Sequence, residues 1–209
     1  DPVAAQPQGG HDMIAREKSP KFIVFEGLDG SGKSTCAKQT AEALGAELLT
    51  TPSEPIREIR GSIIGEYGDC QEARQAFYIS TVLHASKKIE TLLDQGRPVV
   101  IDRYFLSTQA YAAFRGTRLD LDFIGNHLVP ADLTVFLHAP LDVRIQRIEQ
   151  RGASAADRET MKQKADDRLR REHLRRSSAR FIGEWLSLDT SKATPDELAD
   201  RILEVMADE

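Results

Sequence analysis

The stretch Phe22-Ile-Val-Phe-Glu-Gly-Leu-Asp-Gly-Ser-Gly-Lys-Ser-Thr35 decides the fold. Its second half, Gly27 to Ser34, fits G-x-x-x-x-G-K-[S/T], the loop whose backbone N–H groups surround a nucleotide β-phosphate. Gly27, Gly30 and Gly32 let the backbone curl into that nest, with Asp29 and Ser31 between them. Lys33 then spans the β- and γ-phosphates and is expected to face solvent when the site is empty. Ser34 carries the hydroxyl that such a loop uses to hold magnesium. Thr35 follows in the first turn of a helix whose N-terminal end adds positive potential. A glycine-rich turn with no ligand is the bland alternative. Against it stand the apolar run Phe22 to Phe25 before the loop and the helical pattern Ala37, Thr40, Ala41, Leu44 after it.

Moving outward, apolar runs of strand length recur at Phe22–Glu26, Glu47–Thr51, Pro98–Asp102, Leu133–His138 and Glu184–Leu188. Helical patterns alternate with them: from Lys33, from about Glu72 to Asp94, from Tyr104, from Leu141 to Gln150, from about Thr160 to Ile182, and from Pro195. This rhythm predicts a three-layer α/β/α fold on a five-stranded parallel sheet. Right-handed crossovers put every loop that follows a strand at one sheet edge, so the chemistry gathers there. Gly152 to Asp157, small and polar, reads as a mobile lid loop that excludes water during transfer.

A chain of 209 residues, 40% of them hydrophobic, buries a sizeable core without disulfides or metals. Residues 21–209 are expected to form one kinase-like domain. The Pro-, Gln- and Gly-rich start implies a flexible tail over residues 1–20 that lacks the pattern of a signal peptide. Cys36 and Cys70 have no metal-ligand spacing and read as reduced cytoplasmic thiols. A formal net charge of −5 argues against a nucleic-acid partner. No apolar stretch approaches membrane-spanning length, so the expected partners are small-molecule nucleotides.

The third strand ends in Asp102-Arg103-Tyr104, delivering a carboxylate and a guanidinium to the same edge as the phosphate loop. Arg103 supplies a planar, permanently charged fork for an acceptor phosphate. Asp102 orients magnesium-bound water or holds Arg103 in place. A surface ion pair is the plainer account, and the neighbouring phosphate loop weakens it.

From Lys21 onward the sequence resembles the thymidylate kinase family of phosphate-loop nucleoside monophosphate kinases. F-E-G-L-D-G-S-G-K-S-T is similar to the family's first signature, and D-R-Y-F-L-S-T-Q-A-Y, with Ser107, Thr108, Ala110 and Tyr111, to its second. The resemblance implies ATP as phosphoryl donor, Mg2+ held by Ser34 and Asp102, dTMP as the leading acceptor, and a cytoplasmic homodimer. It implies that Asp29 contacts the sugar 3′-hydroxyl, Arg103 the acceptor phosphate and Thr108 the base edge, while Tyr111 crowds the 2′ position. It places Phe77 in a stack on the acceptor base, although core packing is the ordinary role of an aromatic at helical spacing. L-D-T-S-K-A-T-P-D-E-L resembles the adenine loop, which assigns Thr190 and Lys192 to ATP.

Two positions depart from the family. Thr81, one turn after Phe77, stands where an arginine usually reads the thymine carbonyl, and Ser53-Glu54-Pro55 stands where Arg-Glu-Pro is usual. Both lie in the acceptor site, leaving a different base specificity open. Arg57 and Arg60 are candidates to supply the missing cation, and surface residues otherwise. Glu54 also matches the general-base position of deoxynucleoside kinases, the alternative activity. A nucleotide-dependent switch is a third possibility, but no guanine-reading N-K-x-D is present.

The phosphate loop has no internal arginine, so charge for the transferred group comes from the lid. D-R-E at Asp157 to Glu159 resembles the lid motif of family members that carry the arginine there, which implies catalytic roles for Arg158 and Arg151, with Arg147 a lesser candidate. The later arginines, Arg168, Arg170, Arg171, Arg175 and Arg176, read mainly as a solvated helix face.

Overall fold

The structure, a computed structural model, describes residues 21–207; the expected tail lies outside the described residues. Five strands, β1 (Phe22–Gly27), β2 (Glu47–Thr50), β3 (Val99–Asp102), β4 (Leu133–His138) and β5 (Glu184–Asp189), form one sheet in the order β2-β3-β1-β4-β5. Every pairing is parallel. The helices are α1 (Lys33–Leu44), α2 (Glu54–Glu66), α3 (Gln71–Asp94), α4 (Phe105–Phe114), α5 (Leu141–Gln150), α6 (Ala155–Thr160), α7 (Gln163–Leu174) and α8 (Pro195–Ala207).

The central strand shows why the layers form. All six residues of β1 are buried, so alternate side chains need a helix on each face. Phe22 and Val24 pack with Ile79, Val82 and Ile89 of α3 and Phe105 of α4. Ile23 and Phe25 pack on the other face with Ala37 and Ala41 of α1 and Leu198 and Ile202 of α8. Strand order reverses at β1, which opens a crevice at the carboxyl edge. Both Gly27–Ser34 and Asp102–Arg103 emerge there.

The second half of the chain departs from expectation. Gly152 to Asp157 is not a loop throughout, because α6 begins at Ala155 behind a capping box. The Asp157 N–H donates to Ser154 Oγ at 3.1 Å, and the Ser154 N–H donates to the Asp157 carboxylate at 2.9 Å. The expected helix from Thr160 to Ile182 is broken by extended backbone at Lys162 and by a bend after Leu174, with a 3-10 turn at Arg180–Ile182.

The arginine-rich face is only partly solvated. Arg170 donates to Asp166 at 2.7 Å, and Arg176, almost buried, pairs with Asp122 at 3.1 Å and Glu172 at 2.9 Å. Asp166 in turn accepts from Arg144, which is fully buried and whose Nε donates to the Asp29 carbonyl at 2.7 Å. Helix α7 is therefore tied through α5 to the phosphate loop.

His173 on α7 has no exposed surface. Its Nδ1 lies 2.8 Å from the Leu169 carbonyl, so the tautomer that satisfies the carbonyl carries its proton there and leaves Nε2 unpaired. Burial pushes the imidazole down to about 3. The unfolded chain takes up this proton first, near pH 6.5, so the neutral ring contributes fully above that pH. Its contribution is lost as pH falls toward 3, with a slope of at most about 1.4 kcal/mol per pH unit. Urea unfolding at pH 7, 6, 5 and 4 is expected to show a shallower decline for His173→Leu than for the wild type; parallel declines would contradict this account.

Candidate active site

The phosphate loop depends on two close approaches that only glycine allows. A Cβ at Gly27, where φ is +138°, would lie 2.2 Å from the Leu137 carbonyl oxygen. One at Gly30 would lie 2.7 Å from the Arg144 carbonyl oxygen. Strand β4 and helix α5 thus press on the loop from behind. Gly32, in left-handed conformation, turns the chain into α1. Ser31 is fully buried, and its Oγ has no partner. Thr35 lines the cavity in front of the loop.

Lys33 does not face solvent as expected. Its residue is only 6% exposed, and its Nζ donates to the Leu28 carbonyl at 2.7 Å, folding back over the loop. Burial, reinforced by the Arg103 charge, pushes the ammonium down to about 8. Ser34 is exposed, and its Oγ donates to Asp102 Oδ2 at 2.5 Å, while Asp102 Oδ1 is buried without a partner. A hydroxyl and a half-satisfied carboxylate, both hard oxygen donors, fit a magnesium ion that draws its remaining ligands from phosphate and water. Among the described residues no cluster of three carboxylate, histidine or cysteine side chains offers another metal site.

Arg103 is the other pole. Its backbone adopts φ 70°, a conformation non-glycine residues rarely take, and long-range hydrogen bonds hold it. The Arg103 N–H donates to the Phe25 carbonyl at 2.9 Å, and Thr51 Oγ1 donates to the Arg103 carbonyl at 2.8 Å. The guanidinium donates to Asp29 at 2.5 Å and to Ser107 Oγ at 3.1 Å, and lies 5.3 Å from the Tyr111 ring centre. Tyr111 donates its hydroxyl to the second Asp29 oxygen at 2.8 Å. Burial works against the Asp29 charge, but Arg103, Lys33 and the Tyr111 hydroxyl outweigh it and hold the carboxyl well below its ordinary range.

Glu26, which the sequence reading passed over, supports this arrangement from beneath. It is completely buried, and it accepts from the Tyr104 N–H at 3.0 Å, the Ser107 N–H at 3.1 Å and the Ser107 hydroxyl. Its carboxylate satisfies free donors at the start of α4, the helix that carries Thr108 and Tyr111. Burial raises its pKa, against those hydrogen bonds and the Arg103 charge. The available signal was a lone acid ending an otherwise apolar strand.

Lys33, Ser34, Asp102, Arg103 and Tyr111 open into one cavity of about 1320 Å³. That exceeds the roughly 300–1,000 Å³ of a site for one small ligand and leaves room for two nucleotides. Asp29, Gly30, Thr81, Thr108 and Tyr111 line it, and Thr108 donates its hydroxyl to the Tyr104 carbonyl at 3.3 Å.

Other expected positions are corrected. Phe77 does not line the cavity; it packs edge-on against Tyr78 at 5.2 Å, and Tyr78 lines the wall in its place. Glu54 is also outside the lining, its side chain 73% exposed and paired with Arg57 at 3.4 Å, because it occupies the exposed first turn of α2. Arg57 and Arg60 do line the cavity, and Arg57 donates to Thr50 Oγ1 at 2.7 Å.

On the donor side Thr190 lines the cavity, whereas Lys192 is 78% exposed, lies outside the lining and pairs with Asp189 at 3.4 Å. Arg158 is exposed and outside the lining, because the capped start of α6 turns it to solvent. Arg151 lines the cavity and pairs with Asp157 at 2.5 Å. Arg147, the lesser candidate, also lines it, donating to Thr190 Oγ1 at 2.8 Å, to the Thr190 carbonyl at 2.9 Å and to the Gly30 carbonyl at 3.3 Å.

The thymidylate kinase family profile matches residues 25–202. A probable thymidylate kinase of Methanococcus maripaludis is 28% identical over 193 residues, which cover 90% of this chain and 96% of the relative. The thymidylate kinase of Carboxydothermus hydrogenoformans is 35% identical over 159 residues, covering 68% of this chain and 77% of its own. The solved thymidylate kinase of Candida albicans is similar in fold, with a TM-score of 0.69 at 23% identity over 90% of this chain and 92% of that one.

Proposed function

The chain belongs to the thymidylate kinase family, and from that premise we propose that it transfers the ATP γ-phosphoryl group to dTMP. Supporting this most directly is the convergence of two anion-binding groups, the phosphate loop with Lys33 and the Arg103 fork, on one cavity large enough for donor and acceptor. In this reading Lys33 and the loop N–H groups hold the ATP phosphates, and Arg103 holds the acceptor phosphate in line with them. Asp29, fixed by Arg103 and Tyr111, stands beside the acceptor sugar. Ser34 and Asp102 would hold Mg2+, which supplies charge for the transferred group. An acceptor phosphate is already a nucleophile, so no general base is needed.

A deoxynucleoside kinase, by contrast, must take a proton from a hydroxyl. Its candidate base, Glu54, points to solvent outside the cavity, which counts against that activity. The deciding experiment is an acceptor screen with ATP and Mg2+ across thymidine and the nucleoside monophosphates. Transfer to dTMP and not to thymidine is expected. Phosphorylation of thymidine alone would overturn the proposal.

Arg151 is the cation we assign to the migrating phosphoryl group, since it reaches the cavity from a segment that also carries Gly152. Arg151→Ala is expected to lower kcat about 10- to 100-fold with little change in ATP KM. Arg158→Ala should remain within about threefold of wild type. Arg147→Ala should instead raise ATP KM, because that side chain secures Thr190. A kcat defect confined to Arg158→Ala would reverse the assignment.

Residues 21–209 are proposed to act as one kinase domain, as a cytoplasmic homodimer. The two free cysteines are compatible with a reducing compartment, and Leu83 on α3 exposes an apolar side chain for a partner. No helix among the described residues is long and apolar enough to cross a membrane. Sedimentation equilibrium tests the dimer.

A further inference from the structure

We propose that Arg144 is a positioning residue for phosphoryl transfer, holding the Asp29–Gly30 peptide so that the Gly30 N–H points at a phosphate oxygen of the donor nucleotide. This rests on the kinase reading above, and the residue acts through the loop. Arg144 lies on α5, has no exposed surface and stands outside the cavity lining, whereas Asp29 and Gly30 both line the cavity. Its Nε donates to the Asp29 carbonyl at 2.7 Å. The guanidinium thus grips the phosphate loop from the side away from the cavity.

The geometry of the peptide unit carries the rest. The Asp29–Gly30 bond is trans, and a planar trans peptide points its C=O and N–H in opposite directions. A carbonyl fixed toward α5 therefore sends the Gly30 N–H the other way, into the cavity. Among the described residues no backbone carbonyl accepts from that N–H, while the next one along, that of Ser31, is spent on the Leu28 carbonyl at 3.2 Å. A donor aimed in advance at the place where negative charge gathers needs no reorganisation during the reaction, and there a backbone N–H has its largest effect.

The energetics of the clamp point the same way. Arg144 also donates to Asp166 on α7, which accepts from Arg170 at 2.7 Å, and Arg170 donates to the Ala139 carbonyl at 2.5 Å. Arg144 and Asp166 are both buried, and Arg144 Nη2 has no partner among the described residues. A buried ion pair with an unmet donor is a poor source of stability, since apolar residues of similar volume often do as well or better. Apolar residues cannot hold the Asp29 carbonyl. Asp166 orients the guanidinium and Arg170 orients Asp166, so the loop peptide is set by α5 and α7.

The test uses Arg144→Met and the double variant Arg144→Met, Asp166→Met. The single variant leaves a buried carboxylate with one partner fewer and can lose stability. The double variant removes both charges, so its thermal midpoint is expected to equal or exceed that of the single variant. Even so, its ATP KM should rise about 3- to 10-fold and its kcat fall about 10-fold. The dTMP KM should stay within about twofold, because Arg103 and Tyr111 still hold the Asp29 side chain. Wild-type kcat and ATP KM in the folded double variant, or a defect confined to dTMP KM, would overturn the proposal. The Gly30 amide resonance reads the peptide directly. Adding ATP with Mg2+ should move its proton downfield in the wild type and much less in the double variant, and equal movement in both would also overturn the proposal. Calorimetric ATP binding and the Gly30 resonance need no acceptor. Absence of transfer to dTMP by the wild type would therefore sink the kinase reading alone, while these two readouts still decide Arg144.

Discussion

Lys33→Ala is expected to lower turnover more than a hundredfold while the fold persists. In the proposed mechanism the ammonium stabilises charge that grows on the phosphoryl oxygens in the transition state, and removing one such contact costs about 3 kcal/mol or more. Because Lys33 is buried with its Nζ on the Leu28 carbonyl, the variant also removes a desolvated charge, so its thermal midpoint should not fall far. The depressed pKa adds a second signature. An ammonium that titrates near 8 in the empty site must be protonated to hold phosphate, so ATP KM should rise as pH passes above 8. Lys33→Ala should lack that rise. Wild-type turnover in the variant, measured with a coupled ADP assay, would remove the phosphate-loop mechanism.

Arg103→Ala is expected to reduce kcat/KM for dTMP about 100- to 1,000-fold, through both constants, because in the proposed mechanism a charge-assisted fork binds the acceptor phosphate and aligns it. The cost does not end there. Asp29 would lose its ion-pair partner, and Tyr111 the cation over its ring. The pair is partly exposed, so the stability loss should be about 1–3 kcal/mol, below that of a fully buried pair. Arg103→Lys restores charge without the planar fork and should recover stability more than turnover. Unchanged acceptor KM in Arg103→Ala would place the acceptor phosphate elsewhere.

The contrast between these two residues and Phe77 explains what was legible in the sequence. Lys33 and Arg103 each follow a strand within a short local motif, and the placement of a strand end follows from topology alone. Phe77 sits mid-helix, where one residue changes direction by about 100°. Composition did not set the rotation of α3; the packing of Ile79, Val82 and Ile89 against β1 and β3 did, and it turned Tyr78 and Arg74 into the cavity. The Ser154 capping box was written locally and readable, yet the small polar residues around it read as loop.

By itself the sequence determined the parallel sheet, the phosphate cradle and the Asp-Arg pair at the same edge. Alternating strands and helices, glycine spacing and strand-end position are local properties with local physical causes. Tertiary structure alone decided which cations line the cavity and which are consumed within the protein. Arg144 is fully buried between Asp29 and Asp166, Glu26 reaches 81 residues ahead to hold Ser107, and Arg151 enters the cavity while Arg158 does not. Charges on a surface helix look alike in sequence. Burial and the partner each one meets across the fold set them apart, and both depend on contacts between distant segments that no local pattern encodes.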